Sequence, residues 1–512
     1  MDIPSSDRLP PNAIRDVVIV GGGTAGWMTA AALIQHLRHT GVRITVVESS
    51  EIGTIGVGEA TIPTIRRFYA QLGMTDADVM TATQASCKLG IRFTGWSGQG
   101  SDFIHPFGLY GQDLRGVGFH HYWAKRRQTG DQTPLAAYSL GASLASAGKF
   151  IEPSPTPPSS LSVFDWALHL DASLFAQHLR RYAEASGVQR IDARITHVEL
   201  QPENGFVRAI TLNDGRQVEG DLFVDCSGFR GLLIGEAMGS AYEDWGQWLA
   251  CDAAFAVQSE NAPGTEPHPY TQVTAHAAGW QWGIPLRHRA GNGLVFSSAH
   301  MTDQQALDAL MPNLMGKPIT EPRRIGFRPG RRDRAWVKNC VAIGLSAGFL
   351  EPLESTSIAL IENGIERLKS LFPDKTFAPS VIEEFNDQSA REMERTRDFI
   401  ILHYWLNGRD EPFWNERREA AIPDTLARKV ELWKARGQFA RYRWEMFHPA
   451  SWLAIYDGFG VLPEQLDPVV EGLDPRQLAQ SLGQMKAAVA DAVAKTPSHS
   501  AFLAGLDRPE AA

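Results

Sequence analysis

The chain is expected to fold as an α/β protein with a Rossmann-like core of the two-dinucleotide-fold type, an inserted β-sheet region and a helical C-terminal module. Three observations carry this. Near the N-terminus a β-branched run turns into a helical pattern across a Gly-x-Gly-x-x-Gly loop. Two later apolar strands also run into Gly-bearing turns, and from about residue 380 the apolar residues recur at helical spacing.

The first unit, "DVVIVGGGTAGWMTAAALIQHL", starts at Asp16 and carries Gly21, Gly23 and Gly26. Glycine there permits a tight turn, backbone approach to a diphosphate and close helix packing. The helix that follows, opening at Thr24 and Ala25, offers free N–H groups and the positive end of its dipole to phosphate. The next strand, "RITVVES", carries Glu48, an acid placed to bind ribose hydroxyls. This order specifies an adenine dinucleotide without separating FAD from NAD. Later segments separate them. "NDGRQVEGDLFVDCSGFRG" reads as a hairpin turning at Asp214-Gly215, then a strand ending at Asp225-Cys226-Ser227-Gly228. "WVKNCVAIGLSAGFLEPLEST" gives a strand from Cys340 into a third turn at Gly344. Three such units so widely spaced fit FAD better than a compact NAD domain. The expected division is 14–375 for an FAD-binding module with its inserted sheet, and 376–512 for a helical module covering the substrate site.

Composition narrows the function classes. At 512 residues, 43% hydrophobic and 21% charged, the chain reads as a globular enzyme with a large core. A net charge of −9 argues against a nucleic-acid partner. The four cysteines are scattered without a C-x-x-C pair, which suits a reduced cytoplasmic setting and suggests neither zinc nor a disulfide framework. The glycines within 17–34 read as a strand turning into a helix rather than a membrane span, so no membrane partner is expected. "EPSPTPPSS" at 152–160 is an exposed loop, Asp171 a cap for the helix after it, and the basic run 323–334 a solvated surface. "HHYW" at 120–123 lacks a partner at ligand spacing, and no metal site is expected.

The stretch "GWQWGIPL" places Trp280 and Trp282 two apart, on one face of an extended strand. Such a pair packs as core or walls one side of a chamber. Together with the Gly21/Gly23/Gly26 loop, the pattern Trp280-x-Trp282-x-Ile284-Pro285 resembles that of the flavin-dependent halogenases of the tryptophan/indole family, and the resemblance covers most of the chain. In that family the motif lies between flavin and substrate. "VGEATIP" (57–63), with Gly58 and Ala60, looks like the family's loop over the flavin; Gly344 and Leu350 match further cofactor-facing positions. "QASCKLGIRFTGW" puts Lys88 where the family has its catalytic lysine. "FLEPLESTS" resembles the Phe-x-x-Pro-x-x-Ser-x-Gly element, with Glu354 as the catalytic acid and the N–H groups of Thr356 and Ser357 as halide donors. Ser357 stands where the family has glycine. On its residues alone, Glu354 reads as a capping acid of the next helix.

The resemblance implies FAD in its reduced form, FADH2, with dioxygen and a halide (chloride or bromide) as co-substrates. Hypohalous acid made at the flavin then travels to a small aromatic substrate. A separate flavin reductase is implied as a transient partner, and a homodimer is the assembly expected of an ordinary soluble enzyme. His105 and Phe107, in "DFIHPFG", match positions flanking the indole ring. Members acting on free tryptophan carry a Tyr-Tyr pair where this chain has Trp452-Leu453, so indole or an indole-bearing compound is the expected substrate. A flavin monooxygenase, or a non-catalytic flavin-binding protein, would share the dinucleotide site; Lys88, Glu354 and the tryptophan pair favour halogenation.

Overall fold

Alternation along the first strand decides what covers the central sheet. In Asp16–Val20, Val17 and Ile19 face one side, and Val18 and Val20 the other. The first side is buried by the helices Thr24–His36, Ala172–Ala185 and Ser357–Ser370. The second is buried by a three-stranded antiparallel sheet holding Val207, Ile210 and Leu212. Both faces covered is the condition a parallel sheet requires. The computed structural model describes residues 10–51, 58–262 and 264–506.

Six strands make this sheet, in the order Trp336–Val337, Cys340–Ala342, Leu222–Asp225, Asp16–Val20, Arg43–Glu48 and Gln189–Asp192. All neighbours are parallel except the first pair. The three strand-to-glycine turns foreseen from sequence therefore come from adjacent strands. Asp171 caps Ala172–Ala185, accepting from the N–H groups of Ser173 and Leu174 at 3.0 and 3.1 Å.

A seven-stranded sheet forms the inserted region, with Gly279–Pro285 between Ala290–Phe296 and Thr271–His276, and with Gly90–Thr94 and Asp102–Pro106 at one edge. The long helix Pro379–Trp405 and the helix Pro449–Gly458 share a hydrophobic core with it. Between the two large sheets lies a small one, in which Ala167–Asp171 pairs antiparallel with Gly58–Ala60 on one side and Ser86–Lys88 on the other. The basic run 323–334 is not simply a solvated surface. It supplies the strands Arg323–Gly326 and Gly330–Arg332, and Arg331 pairs with Glu243 and Glu394 at 2.8 and 3.3 Å. No helix among the described residues is long and apolar enough to cross a membrane.

Gly90 joins the lysine strand to the sheet edge, and its lack of a side chain is structural. A Cβ there would lie 2.4 Å from the His105 carbonyl oxygen and 2.8 Å from the Pro106 Cα. Gly90→Ala is expected to lower stability by about 1–3 kcal/mol through overpacking, measured as a fall in the urea midpoint at unchanged m-value.

Candidate active site

At the dinucleotide end, close contacts account for the loop glycines. Gly21 has φ +110°, and a Cβ on Gly26 would lie 1.9 Å from the Gly21 carbonyl oxygen. A Cβ on Gly23 would meet nothing within 4 Å, so the backbone there is open to a ligand. Thr24 and Ala25 begin a helix with neither a side-chain cap nor an acid in its first turn, leaving its N–H groups available. The Glu48 carboxylate lies over Gly22, where any Cβ would overlap it, and it is paired with Arg190. Gly344 has φ +79° and backs onto Ala25, and together with Leu350 and Ser357 it lines a small cavity of about 50 Å³. This open loop, acid and bare helix start fit an adenine dinucleotide. Gly58 and Ala60 form the strand after the proposed flavin loop; a Cβ on Gly58 would touch Gly291 and Ile284 at 3.5 and 3.6 Å. Val57, the first residue of that motif, lies outside the described residues.

Lys88 is completely buried. Its Nζ donates to the Thr61 carbonyl at 2.9 Å and to the Ser355 hydroxyl at 2.7 Å, and stands 5.1 Å from the centre of the Phe107 ring. Burial pulls the amine down to about 7, against the opposing pull of Glu354. Glu354, beside Ser355, is not the helix cap that its position suggests. Thr356 is the N-cap residue, and the Glu354 oxygens accept from His105 Nδ1 at 2.9 Å and His403 Nε2 at 2.8 Å. Burial alone would raise its carboxyl, but the two imidazoles outweigh it and hold it down at about 2. His403 Nδ1 also faces an acceptor, the Phe399 carbonyl at 2.8 Å. Both ring nitrogens then donate, and the arrangement is satisfied by an imidazolium against a carboxylate.

Ser355 makes this meeting possible. Its backbone is left-handed, φ 59° and ψ 37°, which turns the chain sharply between Glu354 and the helix Ser357–Ser370. Positive φ therefore falls at 355 and not at 357, so the serine replacing the family's glycine sits in ordinary helical backbone. Thr356 is buried, and its hydroxyl has no partner among the described residues.

Trp280 and Trp282 are both buried, with ring centres 6.1 Å apart and planes at 58°. Trp280 Nε1 donates to Glu351 at 2.9 Å, and the Tyr404 hydroxyl donates to the same oxygen at 2.7 Å. Burial pushes the Glu351 carboxyl up to about 7, restrained by those two donors. At the other end of the strand, the Pro285 carbonyl accepts from the Ser86 hydroxyl at 2.5 Å. The tryptophan strand thus touches both the segment of Lys88 and that of Glu354.

The substrate candidates divide. His105 lies within an aromatic cluster with Phe399 and Phe447, at ring distances of 5.9 and 6.3 Å. Phe399 stacks on Phe447 at 3.9 Å and meets Trp452 edge-on at 5.0 Å. Phe107 stands apart from these, beside Lys88. Leu453 is buried in the core on the same helix as Trp452. Glu351, Phe399, His403, Tyr404 and Phe447 were not foreseen. The spacing of Phe399 and His403 by one helical turn puts both on one face, a signal available in the sequence but indistinguishable from core packing.

A family model described as tryptophan halogenase matches residues 16–475, and the chain belongs to that family. It is a flavin-dependent halogenase, an oxidoreductase that uses reduced FAD, a halide and dioxygen. Tryptophan 6-halogenase ThaL of Streptomyces albogriseolus is 36% identical to it, over 92% of this chain and 94% of that one. Tryptophan 7-halogenase RebH of Lentzea aerocolonigenes is 34% identical, over 93% and 95%. Among solved structures, BrvH, a flavin-dependent halogenase from Brevundimonas sp. BAL3, is 73% identical with a TM-score of 0.94, covering 97% of this chain and 99% of its own. Xcc4156, a flavin-dependent halogenase from Xanthomonas campestris, is 43% identical with a TM-score of 0.92, covering 96% and 98%.

The buried lysine sets a pH dependence of stability. The unfolded chain keeps the Lys88 proton up to the ordinary lysine range near 10.5, whereas the folded chain releases it near 7. Between these values the unfolded state binds more protons, so folding strengthens as pH rises. Relative to Lys88→Met, the natural chain is expected to gain on the order of 3 kcal/mol from about pH 7 to about pH 10 in urea unfolding. An unchanged difference across that window would show that the amine titrates normally.

Proposed function

We propose that this chain halogenates indole or an indole-bearing compound rather than free tryptophan, with Lys88 holding the oxidant and Glu354 receiving the ring proton. The observation that carries the reading is a fully buried amine whose Nζ donates to the Ser355 hydroxyl, on the residue next to the fully buried Glu354 carboxylate. FAD, when bound and reduced, supplies with dioxygen the oxidising power that converts halide to hypohalous acid.

Two of the Lys88 hydrogen-bonding positions are occupied by Thr61 and Ser355, and the third is left for the oxidant. Near pH 7 that third position is an N–H in one protonation state and a lone pair in the other. The amine can therefore hydrogen-bond hypohalous acid or carry the halogen itself. Each Glu354 oxygen accepts one imidazole N–H and keeps further lone pairs, so the carboxylate can take a proton from the cationic ring. His105 and His403 keep it ionised until then. The N–H groups of Thr356 and Ser357, at the start of a 14-residue helix, suit a halide. Trp280 and Trp282 act by exclusion, with Trp280 fixed through Glu351.

Three features support a substrate without an amino-acid end. Trp452 and Leu453 replace a pair of tyrosine hydroxyls, and Trp452 is engaged by the Lys429 ammonium, 4.3 Å over its ring. The cluster around His105 is aromatic. His105 meets Glu354 through Nδ1, and its buried Nε2 has no partner among the described residues, so a polar group of the substrate can meet it there. No second dinucleotide fingerprint follows the first, which supports supply of FADH2 by a separate reductase, in a cytoplasmic setting that suits four free, buried cysteines.

The test is a competition between indole and free tryptophan with FAD, a flavin reductase, NADH, air and bromide. The bromine isotope doublet is expected on indole; faster bromination of tryptophan overturns the substrate assignment, and a +16 product would mean hydroxylation instead. Lys88→Ala and Glu354→Gln are each expected to lose at least about a hundredfold in turnover while the bound-FAD spectrum persists. Full turnover in either would remove that residue from the chemistry.

A further inference from the structure

Ser86–Lys88 is the outer strand of its small sheet. Its inner neighbour pairs with it through Ser86, Cys87 and Lys88, and its outer edge must find other acceptors for the N–H groups that point away. The segment Pro267-His268-Pro269 runs along that edge. The Leu89 N–H reaches it directly, donating to the Pro269 carbonyl at 2.7 Å. The Cys87 N–H, two residues earlier on the same edge, does not donate to this segment directly. An imidazole stands between, from a residue more than 400 positions away. Cys87 N–H donates to His499 Nε2 at 3.1 Å, and His499 Nδ1 lies 2.8 Å from the Pro267 carbonyl.

The partners leave one protonation pattern. The Cys87 amide can only donate and the Pro267 carbonyl can only accept, so Nε2 is bare and Nδ1 carries the proton. The ring is completely buried, and burial holds it down at about 4, which keeps it neutral in the ordinary working range of an enzyme. His499 opens the helix His499–Leu506, and its own N–H donates to the Gly148 carbonyl at 2.9 Å. Lys149 Nζ ties the end of the preceding helix through the Val493 carbonyl at 2.8 Å, and the Phe150 ring lies 5.9 Å from the imidazole. The C-terminal helices are thereby locked to the body of the protein on both sides of the histidine. His499 lies beyond the residues matched by the family model, 16–475.

We propose that His499 is a positioning residue for halogenation: its imidazole completes the outer edge of the lysine strand and fixes where the adjacent Lys88 amine stands. The helix His499–Leu506 then acts on the reaction through the lysine strand. The proposal rests on the role given to Lys88 above. An edge strand of three residues with one unanchored amide would shift by a fraction of a bond length, and reaction geometry is sensitive to displacements of that size.

Two full-length variants test it. His499→Phe keeps the ring volume without an acceptor, and His499→Gln returns a side-chain oxygen to the Cys87 N–H. With FADH2 and bromide, His499→Phe is expected to brominate indole about ten- to a hundredfold more slowly, while His499→Gln stays within about threefold of the natural chain. At equal flavin consumption, the His499→Phe enzyme should release more free hypobromous acid to a cyclic diketone trap, a readout that simple loss of folded protein would lower. Natural coupling in His499→Phe, an equal loss in both variants, or a fall in trapped oxidant overturns the proposal. If His499→Phe does not fold, the imidazole ¹⁵N spectrum of the unaltered enzyme decides: Nδ1 protonated with Nε2 bare is expected, and a protonated Nε2 refutes the bridge. Full turnover by Lys88→Ala would instead strike the lysine assignment itself, and this proposal with it.

Discussion

A primary amine without solvent contact is an expensive group to keep, and much of the site can be read as the means of keeping Lys88 dry, partnered and close to neutral. Its desolvation is offset by the Thr61 carbonyl, the Ser355 hydroxyl and the field of Glu354. Glu354 can supply that field only while ionised, and a buried carboxylate stays ionised only with strong donors, which His105 and His403 provide. His403 in turn rests on a main-chain carbonyl of its own helix. The requirement therefore passes from one strand to a turn, then to a strand of the second sheet and the long C-terminal helix.

The tryptophan strand holds these pieces in register. One of its ends is fixed to the lysine strand through Pro285 and Ser86, and its other end to the carboxylate segment through Trp280 and Glu351. Ile284 packs beside Gly58, where the stretch leading out of the flavin loop begins. Trp-x-Trp-x-Ile-Pro is thus a structural beam. Of the two readings that its two-residue spacing allowed, core packing is what the burial of both rings shows, and the chamber wall belongs to the proposed function.

The dinucleotide half was legible because its constraints are local. Glycine at a left-handed turn, a β-branched strand and a bare helix start each leave a mark within a few residues, and Asp171 was readable as a cap for the same reason. Lys88 and Glu354 carry no such mark; they were reached through resemblance, and on residue pattern alone the acid looked like a cap. What separates the two readings is the left-handed backbone of Ser355, which swings Glu354 away from the helix start, and a non-glycine residue gives no advance notice of that conformation. Phe399, His403 and Tyr404 were hidden in the apolar pattern of a long helix. In the basic run 323–334 most of the arginines stay at the surface, as their charge suggests, while Arg331 finds its acids on segments far away in sequence.

Glu351 and Glu354 share a short turn and a common burial, yet their neighbours give them opposite characters. Glu351 meets an indole N–H and a phenol, neutral donors that leave it able to hold a proton near pH 7, whereas Glu354 meets two imidazoles and does not. The segment therefore presents a weak acid towards the tryptophan strand and a fixed anion towards the lysine. An amide is a closer electrical copy of the first group than of the second, so an isosteric exchange that looks the same at both positions removes a full formal charge only at Glu354.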